Sequence, residues 1–150
     1  MTANRFLASA AVATALLAAS LPAHADMPRA ELSAGMYRID AEVANTFDAR
    51  ATGLMRRSFM VGHAGMIFVY PEENTHCMWM RNTLIPLSVA FLDAEGVIIN
   101  IEEMAPQTET NHCARRPARF ALEMNAGWFA DKGIAAGQRI RGVQALPPAR

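Results

Sequence analysis

Apolar and polar residues alternate without a break along YRIDAEVA, residues 37–44. Tyr37, Ile39, Ala41 and Val43 share one face, and Arg38, Asp40 and Glu42 share the other. A side-chain period of two belongs to a half-buried strand. The period changes in NTFDARATGLMRR, where Phe47, Ala51, Leu54 and Met55 recur at i, i+4, i+7 and i+8, one stripe of a helix. Asn45 or Thr46 can cap its start, and Gly53 lowers helix propensity, so the helix is expected to end near Arg56. GMIFVY is a short continuous apolar run, the mark of a buried strand.

After the polar turn PEEN, HCMWM reads as a strand with His76, Met78 and Met80 on one face and Cys77 and Trp79 on the other. LIPLSVAFLD and VIINIEEM flank DAEG, whose acidic residues and glycine suit a hairpin loop. Pro86 has no N–H for a ladder and marks an edge or a bulge. Ala105 to Pro117 is a long polar loop carrying His112 and Cys113. ARFALEM alternates again, with Phe120, Leu122 and Met124 opposing Arg119, Ala121 and Glu123. Asn125 can cap a short helix, AGWFADK, that Gly133 can terminate, and GQRIRGV supplies the last strand. The pattern predicts a mainly β, α+β chain of about seven strands and two short helices. Links of hairpin length between consecutive strands make most pairing antiparallel.

The N-terminus departs from this pattern. One charge, Arg5, precedes an apolar run of 16 residues from Phe6 to Leu21, followed by Pro22 and AHA. That is the layout of a secretory signal peptide, residues 1–25, cut after Ala25. The run falls short of the roughly 20 residues of a spanning helix. No cysteine follows it to carry a lipid, so no stable membrane anchor is expected after cleavage. The expected organisation is an extension at 26–35, a β domain at 36–144 and a disordered tail at 145–150. The mature chain of 125 residues suits one domain, here expected to be a monomer in the periplasm or secreted. Thirteen basic residues against fourteen acidic ones leave it at −1. Nothing in that balance steers it toward nucleic acid.

Both cysteines survive cleavage, and an oxidising compartment favours a Cys77–Cys113 disulfide. Each follows a histidine, so two His-Cys pairs could also supply four zinc ligands. Neighbours on a strand point to opposite faces, however, and the usual zinc spacings are absent.

Catalytic signatures are sparse. GxSxG, HExxH and a phosphate-cradling glycine loop are all missing. Glu102 and Glu103 are adjacent and would diverge on a strand. Nine methionines in the mature chain invite a Cu(I) reading at His76, Met78 and Met80, because thioethers select soft metals. Met is also common filler in irregular cores. The polar trio Arg81, Asn82 and Thr83 is set between MWM and LIPL. It is either a turn or a set of donors aimed into a cleft. With Arg56, Glu123 and Asn125 nearby and Trp79 or Trp128 as an apolar wall, it suits a small polar or anionic ligand. The competing reading pairs Arg81 with Glu123 inside the fold and leaves Asn82 to a turn.

Three blocks, GLMRRSFMVGHAGMIFVY, MWMRNTLIPLSVAFLDAEGVIINIEEMAP and PARFALEMNAGWFADKGIAAGQRI, resemble the prokaryotic family DUF192 in order and over nearly the whole mature chain. The resemblance implies a compact β sandwich or barrel-like domain and no particular reaction. Arg81 stands where the family commonly has Lys, and Ser88 and Gln138 stand where it commonly has Asp. The expected function is non-catalytic binding of a small ligand or an envelope protein, with no cofactor. A hydrolase-like enzyme using the same cleft and a Cu(I)-binding protein are the alternatives.

Overall fold

The computed structural model describes residues 27–150. The leader and its cleavage point lie outside the described residues. The alternating segment forms β2, Tyr37–Ala44, with the boundaries its pattern predicts. Ahead of it β1, Arg29–Ala34, pairs antiparallel with β2, Arg29 opposite Glu42 and Ala34 opposite Tyr37. The expected extension at 26–35 is therefore mostly sheet. Leu32 and Ala34 are buried in the core, and removing them from water recruits the segment.

Thr46 caps α1, Phe47–Thr52, its hydroxyl accepting from the Ala49 N–H at 3.1 Å. The helix stops before Arg56 because Gly53 takes a left-handed φ of 49°. It forms part of the crossover to β3, Ala64–Asn74, which lies parallel to β2 with Ala41 opposite Gly65. Every other strand pair among the described residues is antiparallel. A parallel pair cannot be closed by a hairpin, and residues 45–63 supply the longer link.

The remaining elements are β4 (Cys77–Met78), β5 (Leu87–Leu92), β6 (Ile98–Met104), β7 (His112–Cys113), β8 (Ala118–Asn125), α2 (Trp128–Asp131) and β9 (Ile140–Arg141). A seven-stranded sheet runs in the order β6-β5-β8-β3-β2-β1-β9 and curls into a half-barrel. Its two margins meet. The Ile98 N–H donates to the Gln138 carbonyl and the Ile140 N–H to the Gly96 carbonyl, each at 2.8 Å. β4, within the expected HCMWM strand, and β7, within what reads as a loop, form a separate ribbon with Cys77 directly opposite Cys113 and bonded to it. Asn125 ends β8 and does not cap α2. The N-cap is Gly127, whose N–H donates to Ser88 Oγ at 2.8 Å.

The sheet is apolar on both faces. Leu32, Ile39, Ile67, Leu122 and Ile140 fill the inside of the curl with Trp128 and Phe129. Met66, Phe68, Val89, Phe91 and Ala121 form a second cluster on the outer face, covered by Leu54, Met78 and Met80. The expected tail at 145–150 is tied down. Asn45 Nδ2 donates to the Pro148 carbonyl at 2.9 Å, and the Arg150 N–H returns to the Asn45 carbonyl at 2.7 Å. Among the described residues no helix is long and apolar enough to cross a membrane.

Candidate functional site

The predicted helix stripe splits, with Leu54 buried in the outer-face cluster and Phe47 standing in the open. Phe47, Ala51, Leu54 and Met55 line an open cleft of about 290 Å³ on the outer face of the sheet. Phe47 is 74% exposed. The opposite wall is Cys77, Met78 and Trp79, running from the ribbon toward Thr83. Phe68 and Tyr70 of β3 and Glu123 of β8 also line it.

Glu123 stands opposite Met66 on one neighbouring strand and Val89 on the other, and both are fully buried. It is itself only 3% exposed. Among the described residues its carboxyl group has no hydrogen bond within the protein and no cation within ion-pair distance, and the Thr83 hydroxyl beside the cleft is also without a partner. Burial among apolar neighbours, with nothing to stabilise the charge, pushes the Glu123 carboxyl up to about 8. At neutral pH the cleft therefore holds a carboxylic acid that can donate as well as accept.

The groups around it are committed. Arg50 lines the cleft, and its Nη1 donates to the Val69 carbonyl at 3.0 Å. The Tyr70 hydroxyl donates to Met78 Sδ at 3.2 Å, and burial pushes its pKa well above the ordinary phenol range. The Tyr70 ring stacks on His76 with centroids 3.6 Å apart. His76 Nε2 lies 3.0 Å from the Glu72 carbonyl, and Met80 is fully buried. The three residues of the Cu(I) reading thus each have internal partners or packing. Among the described residues no three His, Cys, Asp or Glu side chains cluster as a metal site, and the zinc reading loses both sulfurs to the disulfide.

The polar trio separates. Arg81, Asn82 and Thr83 form a turn, with the Thr83 N–H donating to the Met80 carbonyl at 3.0 Å and Asn82 left-handed at φ 59°. Arg56 is left-handed too, at φ 62°, and its N–H donates to the Asn82 carbonyl at 2.8 Å. The turn and the segment after α1 are thereby locked together. Arg81 is exposed. Its guanidinium lies 5.6 Å from the Trp79 ring centroid and its Nε 3.6 Å from a Glu109 oxygen, so it does not pair with Glu123. Asn125 Nδ2 donates to the Met60 carbonyl at 3.0 Å. The cleft therefore brings together Trp79, Thr83 and Glu123, while Arg56, Asn82 and Asn125 brace the loops around it. Phe47, Arg50, Phe68 and Tyr70 were not among the expected site residues. The signal for Phe47 was the helix stripe itself, which faces a cleft here.

Ser88 and Gln138 are spoken for. Ser88 Oγ donates to the Glu103 carboxylate at 2.6 Å, and Gln138 Oε1 accepts from the Ala135 N–H at 2.9 Å.

The family model DUF192, described as an uncharacterized ACR, matches residues 30–142. Two solved structures are similar. One, from Sinorhizobium meliloti 1021 and provisionally described as a transcription regulator, is 33% identical, with a TM-score of 0.71, over 76% of this chain and 92% of that one. The other, a protein of unknown function from Novosphingobium aromaticivorans DSM 12444, is 29% identical, with a TM-score of 0.76, over 89% of this chain and 100% of that one. No curated protein matches.

Proposed function

The chain belongs to the DUF192 family, and from that premise we propose that it is an exported, non-catalytic binding domain whose outer cleft takes a small ligand. One observation carries the reading. Glu123 is a buried carboxyl without an internal partner, and it lines an open cleft with aromatic walls. A nearly buried carboxyl with no protein partner at the bottom of an open cleft is a group that a ligand can meet. The floor of the cleft is an acid and the exposed Arg56 and Arg81 lie outside it, which turns the reading away from an anionic ligand.

Export is supported by the leader-type N-terminus and by the Cys77–Cys113 disulfide, a bond that persists in oxidising compartments. Expression with its own leader should yield a mature N-terminus at Asp26, and an intact N-terminus in the purified cell-envelope fraction would remove this part of the reading. The regulatory role attached to the Sinorhizobium relative is not carried over. Fourteen basic and fourteen acidic residues lack the excess positive charge that phosphate contact needs.

A second reading takes Glu123 as a proton donor in catalysis, since a carboxyl titrating near neutrality in a cleft is a frequent mark of an active site. The two readings part on product. A fragment library screened by NMR should give ligands that shift the Trp79 indole signal and return unchanged, and Trp79→Ala should abolish their binding. Turnover of a fragment would favour the enzyme. Hits that leave Trp79 undisturbed would refute the cleft as the site.

A further inference from the structure

The cleft combines features that suit a positive charge. Trp79, Tyr70, Phe47 and Phe68 bring aromatic rings to it, Met78 brings a polarisable sulfur, and Glu123 brings a carboxyl with no counter-ion among the described residues. Ring faces attract cations through their quadrupoles. The molecule already uses one of these rings that way, because the Arg81 guanidinium sits over Trp79.

Resting on the ligand-site reading above, we propose that the occupant is an organic ammonium, its flat apolar body against Trp79 and Phe47 and its nitrogen brought onto the Glu123 carboxylate. The charged and titratable groups facing Glu123 across the cleft are Arg50 from α1 and Tyr70 from β3. β5 contributes only Val89 alongside it, and the 77–83 wall contributes Trp79 and Thr83. Arg50 opposes a cation, but its guanidinium is tied back to the Val69 carbonyl. Tyr70 stays neutral throughout the working range, since burial holds its proton more tightly. Glu123 is thus the group whose ionisation governs affinity. The unliganded carboxyl holds its proton until about pH 8, so a permanent cation should bind more tightly as pH rises through that value.

The test uses the mature protein and three probes: benzyltrimethylammonium, benzyl alcohol and phenylacetate. Binding is followed by titration of the Trp79 indole NMR signal between pH 6 and 9, with the buried Trp128 as an internal control. The expected result is that the ammonium binds about tenfold or more tightly than the alcohol at pH 9. Its affinity should fall toward pH 6, and Glu123→Gln should abolish both the preference and the pH dependence. If all three probes perturb Trp79 but the alcohol or the acid binds as well as the ammonium, the charge class is wrong and the cleft survives as a ligand site. If none perturbs Trp79 at any pH, both the class and the site fall.

Discussion

Glu123 is held between Met66 and Val89 with no partner, and this shapes the stability of the fold as well as its chemistry. Its proton is bound more tightly in the folded protein than in the unfolded chain, where a glutamate titrates near 4.5. As pH rises from that value toward about 8, the unfolded chain ionises first, and the folded state loses stability across the window. Glu123→Gln keeps the shape and removes the titration. It should be more stable than the parent by roughly 2–4 kcal/mol at pH 8 and nearly equal to it at pH 4, measured by urea unfolding at both values. Equal stability at both would mean that the carboxyl is solvated or paired in solution. Asn82 is the other residue whose backbone matters. At φ 59° a short polar side chain is tolerated and a β-branched one is strained. Asn82→Val should therefore lose about 1–2 kcal/mol, and Asn82→Gly little or nothing.

At the scale of elements, a strand's alternation reports its own period but not what lies over each face. β2 was legible to the residue because its outer face carries Arg38, Asp40 and Glu42 in or near water. The same alternation in β8 put Glu123 on one face with Arg119 and Ala121 and could not say how much of that face is left bare. It is roofed instead by the segment after α1 and by Met78 and Met80, which come from distant sequence. Ala121, two residues before Glu123 and just as buried, was the local hint. The stripe on α1 was correctly spaced, yet spacing cannot tell a core from a cleft wall. The parallel pairing of β2 with β3 was hidden for a related reason, since a short helix between two strands is compatible with either direction. The β4–β7 ribbon has only two residue pairs and depends on its disulfide. Cys77→Ser with Cys113→Ser should cost about 3–4 kcal/mol for a loop of this length. The Trp79 indole signal should broaden well before the sheet melts, because the ribbon carries that wall. A sharp, unshifted indole in the double variant would show the wall to be held by packing alone.

For the whole molecule, the meeting of the two sheet margins matters most. Gly96 makes it possible. Its φ is 81°, and a Cβ there would lie 2.5 Å from the Ile140 carbonyl oxygen and 2.8 Å from Val143 Cγ2. Gly96→Ala should destabilise the protein by about 1–3 kcal/mol through backbone that cannot yield. Hydrogen exchange should show the loss first at Ile98 and Ile140, whose N–H bonds form the seam. Farther along β6, Asn100 bridges to the end of β7 and the segment after it, its Nδ2 donating to the Cys113 carbonyl and its Oδ1 accepting from the Arg115 N–H. At the seam both backbone groups of Ile98 are paired, to the Gln138 carbonyl and the Gly137 N–H, which shortens the bare edge on which extended chains stack into fibres. A shorter bare edge gives unfolded neighbours less to zip onto once the chain has folded.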